Sequence, residues 1–223
     1  MSDLSKPTRN TIIALGLAQG VLLLAAHMLI DRKILGVPAD MIWLLPWYAI
    51  AIGVPTALQL VATDVRDRRL WLFGLGLAAV LAFTGAYSGY AVEPSVEASV
   101  VPAVFPYILT TFIGWYVLLP FVQAYFKTGT LRPEYPDLFE FAWNNVITLK
   151  IAGIFTGIFW GLLALWAALF DVIGIKFFAE LFYNKYFAYP VTTTVFASAL
   201  YLGRSNVSAV VTVRRIILAV FKA

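Results

Sequence analysis

Apolar residues run through this chain in long unbroken blocks separated by short polar breaks. That is neither the alternation of a half-buried strand nor the narrow stripe of a surface helix. Thr11 to Ile30 holds twenty residues without a formal charge, and Leu70 to Val92 is longer still. Blocks of this length suffice to cross a bilayer as helices. Inside lipid the backbone must satisfy itself, which leaves helices or a closed barrel, and the run length selects helices. The breaks predict six spans, near Thr11–Ile30, Met41–Ala62, Leu70–Val92, Ser99–Phe126, Val146–Phe170 and Tyr186–Gly203. The last is short and is bounded by Lys185 and Arg204. The predicted fold is all-α: a polytopic membrane helix bundle of about six transmembrane helices with interfacial amphipathic helices. Residues 1–203 form one domain, and 204–223 a cytoplasmic-face helix.

Within the blocks, small residues recur at fixed spacing. GIFTGIFWG places Gly153, Gly157 and Gly161 four apart. At about 100° per residue these share one sector with Ala164 and Ala168, opposite Phe155, Phe159, Leu162, Trp166 and Phe170. Gly16 with Gly20, and Gly85 with Gly89, repeat the spacing in the first and third spans. Helices in lipid gain by close backbone approach, which small residues permit. The stripes therefore read as helix-packing surfaces, within one bundle or in a homo- or hetero-oligomer, with the aromatic side of the fifth span toward lipid or a wider gap. Gly157→Leu is expected to disturb packing more than Phe159→Leu. Pro46 and Pro55 fall in the second span, and Pro102, Pro106 and Pro120 in the fourth. There they remove backbone donors and predict kinks or breaks. Such kinks line substrate sites in some transporters, and are ordinary in bundles that re-satisfy the freed carbonyls.

Two amphipathic stretches lie between spans. In RPEYPDLFEFAWNN, Arg132 to Asn145, Pro136 suits a first turn and Asp137 and Glu140 complement its positive end. An inner-surface helix is expected there, turning into or running straight into the fifth span. KFFAELFYNKYF, Lys176 to Phe187, gathers Phe178, Leu181, Phe182 and Tyr186 on one face, as an outer-surface helix or an aromatic-belt connector would. The tail, SNVSAVVTVRRIILAVFKA, is apolar except at Arg214 and Arg215. Two arginines at mid-membrane are costly, which puts this segment on the surface with its guanidinium groups at lipid headgroups.

Charge sets the orientation. Lys6, Arg9, Arg66, Arg68, Arg69, Lys127, Arg132, Lys150, Arg204, Arg214, Arg215 and Lys222 fall on one side of the predicted membrane. Only Arg32, Lys33, Lys176 and Lys185 fall on the other. The basic side is the cytoplasmic one, so both termini are expected inside. The first block is long for a signal core and has no clear cleavage site after it, so it is read as an uncleaved span. Composition agrees: 61% of the 223 residues are hydrophobic and 13% charged, against about half and a quarter in soluble domains. The positive charges are dispersed along membrane edges, where anionic lipids and not nucleic acid are the partners. Arg66, Arg68, Arg69, Arg214 and Arg215 are the headgroup candidates.

Three segments carry a resemblance: FPYILTTFIGWYVLLPFVQAYFKTG, YPDLFEFAWNN and FTGIFWGLLALWAALFDVIGIKFFAELF. They are similar to a family of bacterial inner-membrane proteins catalogued as domain of unknown function four-one-five-three. The likeness runs from about the first span to Arg215. It implies a multi-span inner-membrane protein, with this chain matching the amino-terminal portion of longer members whose further spans follow, and it brings no activity or catalytic residues.

Candidate chemistry is sparse. The chain has no cysteine, no HExxH, no phosphate-cradling glycine loop and no nucleophile elbow. No catalytic residue, cofactor or metal site is assigned. His27, Asp31, Glu93 and Glu97 fall at the outer edge as a polar cluster with the chemistry for a divalent cation or a proton, or as solvated interface residues. Gln19, Gln59, Gln123 and the run Thr192 to Thr194 are the polar groups at membrane depth. No acid sits deep in a span, which weighs against a classical ion-coupled transporter. Three classes stay open: a structural, assembly or partner-binding membrane subunit; a transporter or channel component for a small molecule or lipid; and an enzyme acting on a lipid-linked substrate.

Overall fold

A computed structural model describes residues 5–37, 40–92, 100–130 and 132–205. Among these residues the chain is helical throughout, with no strand. The helices are α1 (Lys6–Asp31), α2 (Met41–Val61), α3 (Arg68–Tyr90), α4 (Val100–Thr128), α5 (Tyr135–Val172), α6 (Phe177–Phe182) and α7 (Lys185–Ser205). The first five are long and apolar enough to cross a membrane. α7 has the length but falls short in apolarity. Its threonines, tyrosines and two terminal cations dilute the run, so the expected count of six reduces to five on this measure.

Helix ends follow local chemistry. Asp67 caps α3 by accepting from the Arg69 N–H at 2.9 Å. Gly174 stops α5 in a left-handed turn, with Ile175 N–H bonded to Phe170 C=O and Gly174 N–H to Asp171 C=O. That pattern satisfies two orphan carbonyls at once. Gly129 closes α4 with a single bond to Tyr125 C=O. Lys33 makes the same double-bonded turn after α1 as Gly174 does after α5, but with a side chain at φ 57°.

The prolines do not break their helices. α2 runs through Pro46 and Pro55, α4 through Pro106 and Pro120, and α7 through Pro190. Hydroxyls add bonds on two of these turns: Thr56 donates to Ile52 C=O, and Thr110 to Pro106 C=O, both at 2.7 Å. α5 takes the straight option: the expected surface helix and the fifth span are one helix of 38 residues. At 1.5 Å per residue that is about 57 Å, well beyond the ~30 Å hydrocarbon core. The expected helix over Lys176 to Phe187 is divided instead, α6 ending before Tyr183 and α7 starting at Lys185. Arg214, Arg215 and the rest of the tail lie outside the described residues.

Two compact units form. In the unit Ala25–Ala142, α2 is the most enclosed helix, with half of its apolar window buried. It runs antiparallel to α3. Pro46 fills the notch at Gly85, Met41 and Ile42 lie on Gly89, and Leu58 lies on Gly74. It runs parallel to α4, whose Trp115 Nε1 donates to Gly53 C=O at 2.9 Å and Gln123 Nε2 to Leu60 C=O at 3.0 Å. Met41, Leu44, Val92 and Val104 form a buried apolar cluster beside them. Lys127 and Asp137 pair at 2.9 Å, and Tyr116 donates to Ala142 C=O at 2.7 Å, tying α4 to the start of α5.

In the other unit, residues up to Leu24 and from Trp143 onward, α1 and α7 cross closely and antiparallel. Gly16 meets Ala197 and the Thr193 carbonyl, and Gly20 meets Thr193, Pro190 and the Tyr189 carbonyl. α5 presents Asn145, Thr148, Ala152, Thr156 and Ala167 as its buried side. Thr148 packs on Gly203, and Trp160 Nε1 donates to Thr192 Oγ1 at 3.0 Å. Phe178 of α6 packs at a tilt against Phe170 at 4.4 Å and stacks on Trp166 at 5.9 Å, holding α6 to the end of α5.

Candidate functional site

The small-residue stripes divide into two kinds. At Gly16, Gly20, Gly85 and Gly89 a methyl group would strike backbone of a neighbouring helix. At Gly153, Gly157 and Gly161 it would meet nothing within 4 Å, and all three glycines are exposed, as are Ala164 and Ala168. Among the described residues the fifth-helix stripe therefore packs against nothing in its own unit. The side that does is centred on Thr148, Ala152 and Thr156, about a third of a turn away around the helix. This corrects two expectations. Gly157→Leu has room within the unit, whereas Phe159 is half-buried. The aromatic side is split, Phe155 and Trp166 standing exposed while Phe170 is packed on Phe178. Periodicity located the stripe but not its direction, because the threonines and asparagine that pack lie beside the aromatic side and did not read as a packing face in an apolar helix.

α3 and α4 bound a groove of about 510 Å³. Leu77, Phe83, Trp115 and Leu118 supply apolar wall, and Thr84, Ser88, Tyr107 and Thr111 supply hydroxyls. The Tyr107 hydroxyl is fully buried without a hydrogen-bond partner among the described residues, and its oxygen would lie 3.0 Å from a methyl group on Gly85. Both walls are helices apolar enough to span a membrane. Neither the groove nor Tyr107 was visible in the sequence, where α3 and α4 read as separate apolar runs.

Of the outer polar cluster, His27 and Asp31 do come together, one turn apart, with Nε2 and Oδ2 at 3.5 Å. Glu93 and Glu97 lie outside the described residues. No group of three metal-ligating side chains forms among the described residues. Gln19 and Gln59 are buried, and Gln123 reaches across to the last turn of α2. Thr192 and Thr193 bond back to Ala188 and Tyr189 carbonyls. Arg66, Arg68 and Arg69 lie exposed together between α2 and the first turn of α3.

No protein-family model, curated protein or solved structure matches the chain.

Proposed function

We propose that the chain is a non-enzymatic, partner-binding or assembly subunit of a membrane complex, docked through the Gly153–Gly157–Gly161–Ala164–Ala168 face of α5. The observation that carries this reading is the contrast among the glycine stripes. Those of α1 and α3 are filled by neighbouring helices, whereas that of α5 has nothing against it among the described residues. α5 is also the least covered of the five apolar helices, with 6% of its window buried. A flat, open backbone face is what a second membrane helix needs for close approach. Residence in a bacterial inner membrane with both termini cytoplasmic belongs to the same proposal, supported by the one-sided distribution of lysine and arginine.

The natural absence of cysteine makes single probes clean. Ala164→Cys on the flat face and Leu162→Cys on the exposed opposite side are labelled in native membranes with a lipid-soluble maleimide. Ala164→Cys is expected to react markedly more slowly, and to match Leu162→Cys once detergent strips bound partners. Equal rates in native membranes contradict the reading.

A second reading, lipid or small-molecule handling, is favoured by the α3–α4 groove and the unpartnered Tyr107 hydroxyl. Its volume falls within the range of ordinary ligand sites. A ligand held there is expected to be lost in Gly114→Trp, since Gly114 lines the groove and has open space in front of it. Unchanged ligand retention in that variant removes this reading.

A further inference from the structure

The link between α2 and α3 concentrates charge in an unusual state. It carries Asp64, Arg66, Asp67, Arg68 and Arg69 within six residues. Here the acids are turned inward to the backbone: Asp64 Oδ1 accepts from the Arg66 N–H and Asp67 Oδ1 from the Arg69 N–H, both at 2.9 Å. None of the three guanidinium groups makes an ion pair or hydrogen bond among the described residues. All three residues are exposed. Two of them, Arg68 and Arg69, stand in the first turn of α3, which holds no acid of its own and is capped by Asp67.

The loop is also held in place. Trp71 Nε1 donates to Val65 C=O at 2.9 Å, clamping the loop onto the first turn of α3. Trp71 itself is 41% exposed and stands in the first turn of a helix apolar enough to span a membrane, the kind of position at which indoles are enriched. Leu70 beside it is buried. The backbone that carries the three arginines is thereby anchored at the junction of two helices apolar enough to span a membrane.

We propose that the α2–α3 loop is a binding site for the phosphate headgroup of an anionic phospholipid, held by Arg66, Arg68 and Arg69 with Trp71 as the interfacial pin. Guanidinium groups match phosphate by bidentate hydrogen bonding. The surplus positive charge of the loop is the complement of a lipid that supplies negative charge at that depth, and zwitterionic lipids do not. This site is independent of the partner reading of α5.

The test uses the full chain in detergent, titrated with phosphatidylglycerol or phosphatidylcholine and followed by native mass spectrometry and by melting temperature. The wild type is expected to bind phosphatidylglycerol at least about tenfold better, since each basic residue near an anionic surface adds about fivefold. Arg66→Gln/Arg68→Gln/Arg69→Gln is expected to lose that preference and the rise in melting temperature that phosphatidylglycerol gives. Arg66→Lys/Arg68→Lys/Arg69→Lys is expected to keep part of it, and Arg32→Gln/Lys33→Gln all of it. Should the triple Gln variant fail to fold, Arg66→Gln/Arg68→Gln provides the same comparison. Inorganic phosphate is expected to leave the bound lipid in place. Retained phosphatidylglycerol preference in the Gln variants, or full displacement by inorganic phosphate, overturns the proposal.

Discussion

A carbonyl at a helix end inside a bilayer has no water to turn to, and single side chains settle such groups here. Gln123 covers the Leu60 carbonyl in the last turn of α2, and Trp115 reaches the Gly53 carbonyl two turns earlier. Gln123→Leu and Trp115→Phe should each lower stability by about 1 kcal/mol, the scale of interhelical hydrogen bonds in membranes, read as a fall in melting temperature in detergent. Lys33 presents the opposite case. It holds the left-handed position of the α1 C-terminal turn that glycine holds at Gly174. A side chain there costs about 1–2 kcal/mol, so Lys33→Gly is expected to raise the melting temperature, and no change would mean the turn relaxes freely. Gln123 could be noted in the sequence as a polar group at membrane depth. Its acceptor could not, because the partner is a backbone atom 63 residues away, and backbone carbonyls carry no sequence signal.

At the scale of the elements, α2, α3, α4 and α7 were legible to within a few residues, because their polar breaks are sharp, whereas α5 begins well before the expected Val146, the surface helix and the span being continuous. Direction was not legible. The same four-residue glycine spacing marks a filled notch on α3 and an open face on α5. The discriminating fact is what stands opposite: Pro46 against Gly85, and nothing against Gly157. Gly85→Leu forces a side chain into Pro46 backbone and should cost about 3 kcal/mol, or prevent folding of the α2–α3 hairpin. Gly157→Leu should leave the melting temperature of the isolated chain nearly unchanged. Equal destabilisation by both would mean that the α5 face is packed after all. The prolines misled for a related reason. Read singly, each predicts a kink or a break; the helices continue, Thr56 and Thr110 adding bonds to the turns at Pro55 and Pro106, and Gly85 making room for Pro46.

At the scale of the whole molecule, the open question is how many times the chain crosses. α7 is less apolar than a lipid-facing helix needs to be, but it is not lipid-facing along much of its length. Thr193, Ala197, Ala199, Leu200 and Gly203 are buried, and Thr192 is bonded to Trp160. A helix shielded in this way tolerates hydroxyls at membrane depth. We therefore expect α7 to cross, so that Thr63→Cys and Ser205→Cys become reactive toward an impermeant maleimide only after the membrane is opened, while Lys176→Cys reacts without opening. Labelling of Ser205→Cys in sealed cells would reduce the crossings to five. The measurement that bears most directly on the central claim is native mass spectrometry of the chain extracted in native membrane discs, with wild type and Gly157→Leu side by side. The account predicts a stoichiometric extra protein mass, either a second copy or another subunit, bound to the wild type and absent from the equally stable variant. A wild-type chain that emerges alone would contradict it and leave the α5 face a surface for lipid.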